Sequence, residues 1–294
     1  MFGTNQIIGK KFFDNAPKDS LFVTSMFFTL QGEGPYAGMP AIFIRLAKCQ
    51  LACSFCDTFF DDGDWLTYQQ INARVYQTIC DYWNNKGQAV PLWVLPKGTI
   101  SGMKFPNIVL VMTGGEPLLQ DNISEYMRRQ LPRFKAVQVE SNGILNTEVP
   151  EGATLVCSPK CAEKDGVATK YFTPSKTILE RADCLKFVMS AEQNSPYNEV
   201  PQWALDWKAQ TGKEIYCSPM NVYNTFPQKI KLLRAEKGNI TMAERSTVDE
   251  KINFFEPGLL NMTAIAKNHE YVGQYCMTHG LRMNMQMHLF ANLA

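Results

Sequence analysis

Three cysteines, Cys49, Cys53 and Cys56, fall within eight residues in the stretch Lys48-Cys-Gln-Leu-Ala-Cys-Ser-Phe-Cys-Asp-Thr58. The C-x3-C-x2-C spacing lets three thiolates wrap three corners of a cubic 4Fe–4S cluster, because soft sulfur ligands suit iron–sulfur centres. No fourth ligand stands nearby, so one iron is left open for a cofactor or substrate to chelate. Zinc is the rival metal. Structural zinc, however, takes four protein ligands, usually in paired knuckles, and His269, His279 and His288 lie far along the chain.

The elements that must position this loop are legible as short β-branched runs, each followed by polar or glycine-bearing residues. Residues 40–47 (PAIFIRLA) predict a strand running into the cysteines, and 108–112 (IVLVM) a second one ending at Thr113-Gly-Gly-Glu-Pro117. Further strands are expected at 136–139, 154–157, 184–189 and 214–217, leading into Glu140-Ser-Asn-Gly143, Ser158-Pro-Lys160, Ser190-Ala-Glu192 and Ser218-Pro-Met220. Ile71, Val75, Ile79 and Tyr82 share one face of a helix expected over 65–84, with Asp64 or Thr67 as its cap. Another helix is expected over 121–131. Strands alternating with helices imply a parallel sheet or barrel with its active site at the carboxyl ends of the strands. Taken singly, each such loop reads equally well as an ordinary turn; six in the same relation favour a site.

The 294 residues carry a net charge of +1, so no overall field favours nucleic acid or an anionic membrane, and an anionic substrate must be held by local groups. No apolar run reaches bilayer length, and the first residues lack the basic and apolar regions of a signal peptide. A cytoplasmic protein without direct nucleic-acid or membrane partners is expected. The nine cysteines form an odd, scattered set, which in a reducing compartment reads as ligands rather than disulfides.

The cysteine spacing after a strand resembles the signature of the radical S-adenosylmethionine (SAM) superfamily. The resemblance implies a partial (β/α)6 radical-SAM-type barrel of the α/β class, with SAM chelating the open iron and a one-electron donor driving cleavage of its C–S bond to a 5′-deoxyadenosyl radical. The TGGEP stretch resembles the superfamily motif that contacts the SAM amino group. The protein's part in such chemistry is to orient the cofactor and exclude water.

A narrower resemblance covers most of the chain. Thr29-Leu-Gln-Gly-Glu-Gly34, Gly38-Met-Pro-Ala-Ile-Phe-Ile-Arg45, the cysteines with Asp57-Thr58, and the later ESNG, SPK, KFV and Arg282…Gln286…His288 stretches are similar to the 7-carboxy-7-deazaguanine synthase family. This implies radical contraction of 6-carboxy-5,6,7,8-tetrahydropterin to 7-carboxy-7-deazaguanine with loss of ammonia, a lyase step in 7-deazapurine and queuosine biosynthesis. The pterin is expected at Leu30, Gln31, Gly32, Glu33, Thr113, Gln286 and His288, with Arg45 on its carboxylate. SAM is expected at Phe55, Cys56, Asp57, Gly114, Gly115 and Glu116, and at Glu140, Ser141, Asn142, Ser158 and Lys160. Thr58 is the Mg2+ position, although Asp57-Thr58 by itself reads as a helix cap. No catalytic residue is expected beyond the cofactor-driven chemistry. A flavodoxin-like one-electron donor and a homodimer complete the expectation.

Residues 281–289 alternate strictly, predicting a strand with Arg282, Asn284, Gln286 and His288 on one polar face. Residues 86–107 and 221–260 break the strand–helix alternation and read as surface insertions within a single domain. Unlike family members that end at proline over the substrate, this chain runs on as Leu289-Phe-Ala-Asn-Leu-Ala294. Cys157 and Cys161 read as packing residues. The rival readings are another radical SAM enzyme of the glycyl-radical activase type and a non-catalytic iron–sulfur or zinc module.

Overall fold

The apolar runs around the cysteines become a nine-stranded sheet in the computed structural model, which describes residues 7–98, 102–164, 166–224, 260–291 and 293. Its order is β11-β10-β9-β6-β5-β4-β2-β1-β3. Six strands form its parallel centre: β2 (Pro40–Leu46), β4 (Phe105–Gly114), β5 (Phe134–Ser141), β6 (Thr154–Cys157), β9 (Cys184–Met189) and β10 (Glu214–Pro219). These are the six expected from the sequence, several of them longer by a few residues. β1 (Ser20–Leu30) and β3 (Asp64–Thr67) add an antiparallel edge, and β11 (Arg282–Met283) extends the other edge in parallel. Among the described residues the two edge strands do not pair with each other, so the sheet is open.

Helices cover one face. α1 (Tyr68–Asn84) leads to β4, α2 (Ile123–Gln130) links β4 to β5, α3 (Lys176–Arg181) precedes β9, and α4 (Gln202–Thr211) links β9 to β10. α5 (Met262–His279) follows β10, and α6 (Met287–Phe290) lies near the end of the chain. The sheet face toward these helices is apolar: Ile42, Ile44, Leu46, Leu110 and Met112 pack with Ile71, Val75, Ile79, Tyr126 and Met127. Alternate residues point the other way, as pleating requires, and Ala41, Val109 and Val111 form a separate cluster with Tyr36, Met39 and Phe43. One core cluster runs from Leu21 to Cys276. No described helix is long and apolar enough to cross a membrane.

Three expectations are corrected. The helix expected from residue 65 starts at Tyr68, because Trp65 and Leu66 pair with Phe22 and Leu21 as β3. Thr67 then caps it reciprocally with Gln70. The C-terminal strand is only two residues long. Met283 and Met285 are exposed while Asn284 is 4% exposed, its N–H donating to the Cys217 carbonyl at 2.8 Å, so the expected polar face does not exist. Arg282 faces outward and pairs with Glu214 at 3.2 Å. The first irregular segment is not wholly superficial: Val94 and Met103 enter the core, although Leu92 and Trp93 are exposed. Of the second, residues 225–259 lie outside those described.

Candidate active site

The carboxyl ends of the parallel strands open into a cleft. The cysteine loop forms one wall. It leaves β2 after Leu46 and turns at Lys48, which adopts a left-handed φ of 77°. The Lys48 N–H donates to the Phe60 carbonyl at 2.7 Å, closing the loop at its base. The TGGEP loop lies directly against it: the Gly115 and Glu116 N–H groups donate to the carbonyls of Leu46 and Lys48, both at 2.8 Å. A Cβ at Gly114 would strike the Leu46 backbone, and one at Gly115 the Lys48 carbonyl, so the two glycines allow backbone to pack on backbone.

Cys49, Cys53 and Cys56 are free thiols, and all three line the cleft. Burial pushes the Cys53 thiol up to about 11 and Cys56 up to about 12, and it raises Cys49 as well. Buried thiols of this kind ionise when a cation compensates them, which is what binding a cluster provides. Three soft thiols carried on one short loop and facing one cleft are a donor set that fits a 4Fe–4S cluster.

The cleft floor is a buried charge triad. Lys186, the single charged residue of β9, places Nζ 2.9 Å from Glu33 Oε2 and 2.7 Å from Glu140 Oε2. Burial alone would pull the ammonium down, but the two carboxylates outweigh it and raise its pKa. Burial likewise opposes ionisation of Glu33, yet Lys186 and the Ser218 hydroxyl, which donates to Oε1 at 2.8 Å, bring Glu33 below the usual carboxylate range. Gln31 ties this floor to the turn after β1, donating to Glu140 Oε1 at 3.2 Å and accepting the Glu33 N–H at 3.1 Å.

Above the floor, Arg45 on β2 rests over the Phe27 ring at 4.8 Å, and Phe27 stacks on Phe43. The C-terminal segment crosses nearby. Gln286 donates to Asp57 Oδ2 at 3.0 Å and accepts from Asn221 at 2.7 Å, and Thr58 donates to Asp57 Oδ1 at 3.2 Å. His288 is pushed down to about 4, by burial first and then by the Arg45 guanidinium, so it is neutral at pH 7. A Cβ on Gly32 would meet the backbone of Met285, Gln286 and Met287. The missing side chain at Gly32 thus makes room for the chain's own C-terminal segment.

On the opposite wall, Glu116 is a brace. Its carboxylate accepts from the Leu118 and Asn142 N–H groups at 2.9 and 2.8 Å and from the Ser141 hydroxyl at 2.8 Å. Burial nonetheless raises its pKa above the ordinary range. Asn142 accepts from Gln50 of the cysteine loop at 3.1 Å, joining the ends of β5 and β2. The Lys160 ammonium donates to the Ser158 carbonyl and hydroxyl at 2.6 and 2.7 Å, and burial lowers its pKa.

Apart from Leu30, which ends β1 outside the lining, every site residue expected from the sequence borders this one cleft, with Thr113, Gly114, Phe55 and Thr58 beside those already described. Lys186, Ser218 and Asn221 line it too and carried no site assignment. A lone lysine within CLKFVM was the signal for the first. The other two follow β10 in loop positions that read as turn chemistry.

No protein-family model matches the chain. It is 31% identical over 207 residues to the 7-carboxy-7-deazaguanine synthase of Rhodospirillum rubrum, covering 68% of this chain and 71% of that protein. The enzyme of the same description from Rickettsia prowazekii is 34% identical over 206 residues, covering 67% and 77%. That of Bacteroides thetaiotaomicron is 27% identical over 228 residues, covering 77% and 97%. The fold aligns with the crystal structure of QueE from Escherichia coli at a TM-score of 0.53 over 96% of this chain and 99% of that one, with 17% identity.

Proposed function

Since the chain belongs to the 7-carboxy-7-deazaguanine synthase family, we propose that it contracts 6-carboxy-5,6,7,8-tetrahydropterin to 7-carboxy-7-deazaguanine with loss of ammonia. One observation carries the residue assignment: three free thiols, a guanidinium and a buried Glu–Lys–Glu floor face the same cleft. Bound together, a 4Fe–4S cluster and SAM supply the one-electron and hydrogen-abstraction chemistry. Cys49, Cys53 and Cys56 would hold the cluster. The backbone of Gly114 and Gly115, with Phe55, Ser158 and Lys160, would line the SAM side.

Arg45 is the cation for the pterin carboxylate, as its fork matches that group in two bonds. Its seat on Phe27 leaves its charge against a low-dielectric wall. A neutral His288 adds no second positive charge there and can donate or accept one hydrogen bond. The oxygens of Thr58 and Asp57, which line the same cleft as Arg45, suit Mg2+, which prefers oxygen ligands and retains waters. Glu33 and Glu140 present acceptor oxygens for the N–H edge of a pterin, and Lys186 holds Glu33 below the usual carboxylate range. The C-terminal segment, tied down through Gln286 and Asp57, helps exclude water. The family likeness further supports a flavodoxin-like electron donor and a homodimer.

The test is anaerobic. Reconstituted protein with SAM, a low-potential reductant, Mg2+ and the carboxytetrahydropterin should release a deazapurine, read by its absorbance and mass, together with one ammonia. Protein that binds four irons and cleaves SAM without forming a deazapurine would refute the substrate assignment. One zinc per chain without iron or sulfide would refute the cluster as well.

A further inference from the structure

The hairpin of β7 (Cys161–Lys164) and β8 (Val167–Tyr171) pairs only with itself and lies outside the main sheet. Glu163 of this hairpin reaches the cysteine loop: its Oε2 accepts the N–H of Ser54, the residue after Cys53, at 2.7 Å. Oε1 accepts from the Tyr197 hydroxyl at 3.4 Å, and the same hydroxyl oxygen accepts the Cys161 N–H at 3.0 Å. Tyr197 is 3% exposed, and its ring meets Phe55 edge-on at 5.0 Å. The segment between Cys53 and Cys56 is thus gripped twice, through a backbone N–H and through an aromatic side chain.

We propose that Glu163, held by Tyr197, is a positioning residue that fixes the loop between Cys53 and Cys56 and keeps the reduction potential of the cluster bound there low. The inference rests on the cluster reading above, but not on the pterin. Two effects act in the same direction. A carboxylate beside a thiolate ligand opposes the arrival of one further electron. By accepting the Ser54 N–H, Glu163 also withholds a donor that could otherwise bond to sulfur, and such bonds raise cluster potentials. The reduction concerned adds one electron from an external low-potential donor and makes or breaks no bond in the protein. A low potential suits a site whose electron must cleave a sulfonium.

The experiment is an anaerobic redox titration of cluster-loaded full chain, followed by the electron paramagnetic resonance of the reduced form. Glu163→Gln keeps an acceptor for Ser54 and removes the charge. It should favour the reduced form about tenfold at a fixed donor potential, equivalent to about 59 mV for a one-electron couple. Glu180→Gln removes an exposed carboxylate from α3 instead and should leave the potential unchanged. A Glu163→Gln protein with four irons per chain and an unchanged or lowered potential overturns the proposal. If that variant does not load, Glu163→Asp, which keeps the charge but withdraws it by one methylene, should show a smaller rise, and no rise overturns the proposal. Wild-type protein that loads no iron or sulfide defeats the cluster reading instead, so the two failures are distinguishable.

Discussion

Replacing Lys186 by methionine leaves a chain of similar length and volume between Glu33 and Glu140 but removes the charge that both carboxylates face. The lysine side chain is 8% exposed and the two glutamates 14% and 11%, so solvent screens them little. Removing one partner of a buried ion pair costs about 3–5 kcal/mol, and here a single ammonium serves two carboxylates. At about 2 °C per kcal/mol for a chain of this size, Tm should fall by about 6–10 °C at pH 7.5. The pH dependence gives a sharper test. In the native protein Glu33 lies below its ordinary value, so its contribution is present above about pH 4.3 and is lost as pH falls through the lowered value. Without Lys186 the largest contribution that lowers Glu33 is gone, so burial, opposed chiefly by the Ser218 hydroxyl, moves that carboxyl upward. The deficit of the variant should then shrink as pH is lowered from 7.5 toward 5. Adding Glu140→Gln to Lys186→Met should restore about half of the lost stability at pH 7.5. Thermal unfolding of the three proteins by circular dichroism reads all of this. A single-variant loss below about 1 kcal/mol, or a deficit that grows on acidification, would refute the triad as a coupled unit.

His288 has a folded value of about 4 against an ordinary 6.5, so the unfolded chain takes up a proton that the fold does not. Stability should therefore fall between about pH 6.5 and pH 4, by at most about 3 kcal/mol. His288→Gln should flatten that slope in chemical denaturation, and an unaltered slope would count against a buried neutral imidazole. Gly32→Ala pushes a methyl group into the backbone of Met285 and Met287. It should raise KM for the pterin about tenfold with iron content unchanged, and unaltered steady-state kinetics would show that the C-terminal crossing is not needed. Cys53→Ala should lose most of its iron and sulfide by chemical analysis. Retention of four irons with turnover would remove that thiol from the cluster.

The cysteine loop was legible from sequence because its chemistry is local: three ligands within eight residues need only a strand to deliver them, and PAIFIRLA is plainly one. The six parallel strands were legible for a related reason, since strands buried on both faces read as nearly continuous apolar runs. The 281–289 segment misled because alternation reports a strand only where one face is covered. Here Asn284 is buried, with its backbone N–H on the Cys217 carbonyl of β10, while Met283 and Met285 stay exposed. The glycines of TGGEP were recognised by position, but their reason was hidden: they admit the backbone of Leu46 and Lys48, and no pattern within that loop records which segment lies against it.

By itself, then, the sequence determined the ligand loop, the parallel strands that carry the site to their carboxyl ends, and most of the polar residues that line the cleft. Only the tertiary structure decided how their charges combine. Lys186 meets Glu33 from 153 residues away, and Glu163 meets Ser54 from 109 residues away. A buried ammonium has the same side chain as a solvated one in the sequence. Its partners and its dielectric surroundings exist only once the strands lie side by side.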